Sequence, residues 1–157
     1  MEKNNKLPLR IGVGIVLLNN NNEVFVGKRI DNPIDLWQMP QGGVDENEQM
    51  IHAAKRELEE ETGITKTKLI KELDYWLEYE LPKNLIKKIW QGRYRGQKQK
   101  WFIMKFIGQA KDINIKTKRP EFLSWKWVNY YKLPDVVVSF KVNIYKKIVK
   151  EIELLNL

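Results

Sequence analysis

Cysteine does not occur among these 157 residues. Its absence excludes disulfides, thiolate zinc sites and cysteine nucleophiles together, and it accords with a reducing compartment, so the cytoplasm is the expected location. Long apolar runs are missing as well. None reaches the roughly 18 residues that a membrane span needs, and no membrane partner is expected. The first ten residues are polar, with Glu2, Lys3 and Lys6, and lack the apolar centre of a secretory signal. Histidine occurs once, as His52. Repeats and low-complexity tracts are also absent, and a hydrophobic content of 43% is enough for one core, so one domain over residues 1–157 is expected.

Charge is abundant but unevenly placed. The net charge is +8, from 28 Lys and Arg against 20 Asp and Glu. Between Gly42 and Ile64 seven acids face two bases, which leaves 26 bases and 13 acids elsewhere. An acidic island in a basic protein needs cations to offset its own repulsion, while the basic surround draws polyanions. A divalent metal together with a phosphate-bearing substrate satisfies both. A basic excess serving solubility alone is the plainer alternative.

Arg10 to Leu18 reads as an apolar strand, and Asn19 to Asn22 as the turn of a hairpin leading to a strand from Glu23 to Gly27. The proline and paired glycines of Trp37-Gln38-Met39-Pro40-Gln41-Gly42-Gly43 predict a loop without regular structure. A helix is expected from about Asn47 to Thr62, with Asp45 and Glu48 as a capping box and Gly63 as its stop. Strands are expected from Lys68 to Glu80, Lys100 to Ile107 and Leu123 to Val128, and Pro82 to Gln99 reads as a basic, tryptophan-bearing connection. A last helix from about Val136 or Ser139 to Leu155 carries Phe140, Ile144, Ile148 and Ile152 at helical spacing. Mixed strands with two main helices predict the α/β class: an α/β/α sandwich with a mixed sheet between helices.

At 100° per residue, Ile51, Ala54 and Leu58 form the apolar stripe of the first helix. Glu57, Glu60 and Glu61, at i, i+3 and i+4, share a neighbouring face with Ala53, while His52, Lys55 and Glu59 point away. Like charges at this spacing repel, and hard oxygen ligands on a rigid element are what magnesium or manganese takes. A solvated acidic face is the bland alternative for the helix alone. The outward position of His52 argues against a histidine triad or a zinc motif.

The neighbouring residues decide between them. Gly42, Glu48 and then Arg56-Glu57-Leu58-Glu59-Glu60-Glu61-Thr62-Gly63-Ile64 resemble the full Nudix box, G-x5-E-x7-R-E-U-x-E-E-x-G-U with U aliphatic, and all nine specified positions over 23 residues are filled. The likeness extends through Trp37 to Gly43, Gly96 to Phe102, Pro120-Glu121-Phe122, Trp125-x-Trp127-Val128 and Val138 to Lys141. These stretches are similar to the branch that holds bacterial RNA 5′-pyrophosphohydrolases and dinucleoside polyphosphate hydrolases. The loop from Ile30 to Leu36 is longer than that branch leads one to expect, which bears on Arg29.

The resemblance implies a hydrolase of phosphoanhydride bonds. Glu57, Glu60 and Glu61 would hold magnesium, or manganese in its place, with Glu121 as a further ligand or base, and Glu48 and Arg56 would brace them. Arg10, Arg29, Gln41, Gln97, Lys98, Lys100 and Lys141 would hold phosphates or a base, and Phe140 would offer a stacking face; a core role for Phe140 stays open. Lys87, Lys88, Arg93 and Arg95 read as general attraction, and Lys146, Lys147 and Lys150 as a wet helix face. The expected substrate is 5′-triphosphate RNA, converted to a 5′-monophosphate end with pyrophosphate released. A dinucleoside polyphosphate is the alternative, and a catalytically silent RNA or nucleotide binder the remote one. Recognition of DNA sequence is not expected.

Overall fold

The first strand, β1 (Leu9–Leu18), sets the frame in this computed structural model, which describes residues 7–31 and 36–157. Its end is turned by asparagine, as the sequence predicts. The Asn19 side-chain oxygen accepts from the N–H of Asn21 and of Glu23, both at 2.9 Å, and Asn22 takes a left-handed φ of 59°, a conformation Asn tolerates. The chain returns as β2 (Glu23–Arg29), with Leu18 opposite Val24.

Beyond that pair the two strands part, and the next segment fills the gap. β3 (Trp37–Gln38) adds to β2, and β4 (Gln41–Gly43) adds antiparallel to β1 with Gly12 opposite Gly43 and Gly14 opposite Gln41. The expectation of a loop without regular structure is therefore corrected. Pro40 separates two short strands, and its carbonyl still accepts from Ile15 N–H at 2.9 Å. The paired glycines serve close approach in place of a turn: a Cβ on Gly42 would lie 2.0 Å from the Glu57 carboxyl carbon.

The helix α1 (Met50–Thr62) begins later than expected, at Gln49, which makes no side-chain cap, so of the predicted Asp45–Glu48 capping box only one half forms, in the turn before the helix. Glu48 accepts from Asp45 N–H at 2.9 Å within the preceding turn and spends its carboxylate on Arg56. The stop is as expected: Gly63, at φ 72°, donates its N–H to Glu59. The expected strand from Lys68 to Glu80 is two, β5 (Thr67–Glu72) and β6 (Leu77–Glu80), both antiparallel to β7 (Gly96–Phe106). A register shift between Leu69 and Lys71 bends the first away. Between β6 and β7 lies a short helix, α2 (Lys83–Ile86). β7 starts earlier than the apolar pattern indicates because it runs parallel to β1 from Leu9 opposite Gly96 onward.

β8 (Phe122–Asn129) closes the other edge against β2. The last helix is divided into α3 (Leu133–Val136) and α4 (Val142–Leu154), because Val137 is extended and Ser139–Lys141 form a single 3-10 turn. Phe140 thus leaves the helical stripe, whereas Ile144, Ile148 and Ile152 stay on it, buried.

Alternate residues of β1 serve opposite faces. Val13, Ile15 and Leu17 pack with Ala53, Ala54 and Leu58 of α1; Val16 and Leu18 pack with Ile144, Tyr145 and Ile148 of α4. A mixed sheet between these helices is the α/β/α sandwich that the sequence predicts.

Candidate active site

Two carboxylates of α1 turn into the protein, and each is held there by an exclusion. Glu57 lies against Gly42, where the missing Cβ leaves room for its carboxyl group. Glu61 is 1% exposed, and neither of its carboxylate oxygens has a hydrogen-bond partner among the described residues. Anions so placed are costly unless something cationic meets them. Burial pushes Glu57 up to about 7, opposed by Arg56 and reinforced by Glu60 and Glu121. Burial, then Glu121 and Glu57, pushes Glu61 well above the usual carboxylate range. Glu121 comes from the far side, just before β8, where its carbonyl accepts from Ile30 N–H at 2.9 Å.

Glu60 is placed differently. Its side chain is 57% exposed and reaches Arg56 at 3.2 Å. Among the described residues no three acidic groups are yet gathered tightly enough to hold an ion. The donor set nevertheless fits one: two buried oxygens without donors, two further carboxylates within electrostatic reach, and hard oxygen chemistry throughout.

Arg56 ties these parts together. Its fork donates to both oxygens of Glu48, at 2.8 and 3.0 Å, and to the Gly43 carbonyl at 3.0 Å, while its remaining nitrogen meets Glu57 at 3.0 Å. One guanidinium thus fastens α1, the β4 loop and the turn before the helix. The same pairing holds Glu48 down to about 2.

Beside the carboxylates opens a cleft of about 620 Å³ that Arg10, Arg29, Gln41, Glu57, Glu121, Phe140 and Lys141 help to line. Tyr79 and Phe140 pack at its wall with ring centres 5.6 Å apart. Lys141 donates to Gln41 at 3.2 Å; burial, then Arg29, lowers it to about 7, against Glu61. A polar ladder runs below. Gln99 donates to Gln41 at 3.1 Å and to Gln97 at 2.9 Å, Tyr79 donates to Gln97 at 3.1 Å, and Trp101 donates to Gln99 at 3.1 Å. The loop above is anchored by Tyr145, whose hydroxyl oxygen accepts from Met39 N–H at 2.8 Å.

The structure does not bring all the predicted residues to the cleft. Gln97 is fully buried beneath it, braced by Tyr79. Lys98 and Lys100 alternate to the other face of β7, where their ammonium groups stand 5.2 and 5.7 Å from the Trp76 ring and Lys100 pairs with Glu72 at 3.6 Å. Arg29 does line the cleft, with two 2.8 Å bonds to Asp31. Of the longer loop from Ile30 to Leu36 that follows it, residues 32–35 lie outside the described residues. His52 is exposed.

Tyr79, Gln99 and Trp90 were not legible as site residues. Tyr79 reaches the cleft, and Gln99 the Gln41 side chain beneath it, through strand register, which a sequence does not display. Trp90 lines the cleft through an unusual backbone: Trp90, Gln91 and Gly92 take φ of 49°, 59° and 72° in succession. Each non-glycine residue held so costs roughly 1–2 kcal/mol. Gly92 is the one sequence signal of that turn.

The arrangement offers buried carboxyl groups able to exchange protons for cations, next to a basic and aromatic cleft. Comparison with known proteins bears on what such a site belongs to. The chain is 59% identical over 151 residues to an RNA pyrophosphohydrolase of Pelagibacter ubique (strain HTCC1062), covering 96% of each. It is 47% identical to an RNA pyrophosphohydrolase of Rickettsia conorii (strain ATCC VR-613 / Malish 7), covering 98% of this chain and 96% of that one. In fold it is similar to the E. coli dihydroneopterin triphosphate pyrophosphohydrolase, with a TM-score of 0.71 at 23% identity over 92% of this chain and 99% of that one. A C. elegans Ap4A hydrolase shares the fold at a TM-score of 0.64 and 18% identity, over 90% and 98%. The NUDIX domain model matches residues 8–148, and the chain belongs to the NUDIX family, whose members generally use a divalent metal.

Proposed function

We propose that this chain is a single-domain, cytoplasmic RNA pyrophosphohydrolase that uses magnesium, with manganese able to replace it, to convert 5′-triphosphate RNA ends to 5′-monophosphate ends, releasing pyrophosphate. The observation that carries the reading is the buried carboxylate of Glu61, with no cationic partner among the described residues, beside Glu57 and Glu121 at one edge of a basic cleft. The likeness to the curated RNA pyrophosphohydrolases supports the choice of substrate. Removal of the 5′ pyrophosphate opens an RNA to decay, which is the role the reading assigns.

Glu57, Glu60, Glu61 and Glu121 would hold the metal. Bound there, a divalent cation supplies neutralisation of phosphate charge and acidification of a nearby water. The remaining work belongs to the chain. Arg56 holds Glu57 against Gly42 and keeps Glu60 within reach. Arg29, 3.9 Å from Glu121, and Lys141 meet phosphate oxygens from the cleft side. One carboxylate of the set takes the proton as water adds to phosphorus, the anhydride bond breaks, and pyrophosphate leaves. Tyr79 and Phe140 exclude water from one wall and give the first base an aromatic boundary.

The test compares pyrophosphate release from a 5′-triphosphate RNA with cleavage of diadenosine tetraphosphate, both with magnesium and at matched concentrations. A large advantage in kcat/KM for RNA is expected. A dominant rate on the dinucleotide assigns the site to nucleotide clearance, and full turnover after metal stripping refutes the carboxylate assignments.

A further inference from the structure

The cations of the cleft are not equally engaged. Arg29 is held by Asp31 and Lys141 by Gln41. Arg10 has no carboxylate or hydrogen-bond partner among the described residues, yet it lines the same cleft. What holds it is aromatic and steric: its guanidinium carbon lies 5.3 Å from the centre of the Trp90 ring, and a Cβ on Gly43 would strike its nitrogen at 2.2 Å. Trp90 is itself braced edge to face by Tyr94 at 6.1 Å and is presented by the left-handed turn of residues 90–92. Backbone strain of that kind persists where the surrounding structure fixes it, and it gathers at ligand clamps.

Resting on the RNA reading above, we propose that Arg10 is a clamp for a phosphodiester of the RNA chain and that Trp90 is the positioning residue that aims it. A guanidinium on an indole keeps its fork free for a phosphate. Arg29, beside Glu121, serves the 5′ phosphates; Arg10, on the α2-to-β7 side of the cleft, serves the linkage that an RNA has and a free nucleotide lacks.

Binding of a 3′-fluorescein octaribonucleotide carrying a 5′-monophosphate, followed by anisotropy across a salt series, tests the pair in the full chain. Arg10→Gln is expected to weaken binding about tenfold and to reduce the slope of log affinity against log salt by about 0.7, one released counterion on a single strand. Trp90→Leu is expected to do nearly the same, to add nothing in the Arg10→Gln background, and to be largely rescued by Trp90→Phe. Independent, additive effects of the two substitutions, or an unchanged salt slope in Trp90→Leu, overturn the clamp while leaving the RNA reading intact. A wild-type chain that neither binds the octamer nor releases pyrophosphate from triphosphate RNA overturns that reading, and the clamp with it.

Discussion

The buried carboxylates make stability and pH oppose each other in a way that a single substitution isolates. Glu57 rises from an ordinary value of 4.5 to about 7. An acid whose pKa is raised by folding holds its proton more tightly in the folded chain, so its effect vanishes below pH 4.5 and its cost develops fully as pH climbs through 7. Two and a half units correspond to about 3 kcal/mol. Metal-free protein is therefore expected to lose that much stability between pH 4.5 and 7, with Glu61 adding in the same direction. Glu48, held down by Arg56 in the folded chain, is present in wild type and variant alike, so its own pH dependence cancels in the comparison. Glu57→Gln removes the titration, and denaturant unfolding at pH 5 and pH 8 in EDTA reads the difference. The wild type should lose about 2.5 kcal/mol more than the variant on going from pH 5 to 8, since a small part of the cost is already present at pH 5. Added magnesium should stabilise the wild type more at pH 8 than at pH 5, since only the ionised form serves as ligand. Equal pH slopes in wild type and variant would refute the assignment of Glu57 as a buried, proton-holding carboxylate.

Gly42→Ala places a methyl group on the Glu57 carboxyl; turnover should fall about a hundredfold, the scale of a misplacement of roughly 1 Å, with the circular dichroism spectrum retained. Arg56→Lys should weaken magnesium activation between about 10- and 100-fold in a metal titration, because an ammonium reproduces neither the two bonds to Glu48 nor the simultaneous hold on Gly43. Lys141, lowered to about 7 by burial and Arg29, is expected to take up a proton when a polyphosphate enters. Calorimetric affinity for the substrate's triphosphate end should thus decline as pH rises above 7, and Lys141→Met should flatten that decline.

The parts of the site that were legible in the sequence are those written in one continuous stretch. The turn of α1 places Glu57 and Glu61 from spacing alone, and Gly63 ends the helix by its own conformation. Glu60 already shows the limit: spacing groups it with the other two, but its side chain stays largely exposed beside Arg56 while theirs turn inward. Lys98 and Lys100 share a motif with Gln97 and Gln99, and only strand alternation divides them between faces. The glycines of the β4 loop announce an unusual backbone without saying that the need is space for a carboxylate. Tyr79 and Trp90 depend on pairings across the sheet and on a left-handed turn, for which local composition carries almost no signal.

The parting of β1 and β2 after Leu18 and Val24 gives the molecule a seam. Arg29 and Glu121 belong to one flank of it, Glu57 and Glu61 to the other, and among the described residues no ladder of backbone hydrogen bonds runs straight across between them. The width of the catalytic gap is consequently a property of the filling: Met39, Pro40 and the Tyr145 hydroxyl that pins them. Residues that never meet a phosphate thereby act as the gauge of the enzyme, and a change of volume at Met39 would retune the distance between the two flanks while every charged group kept its identity.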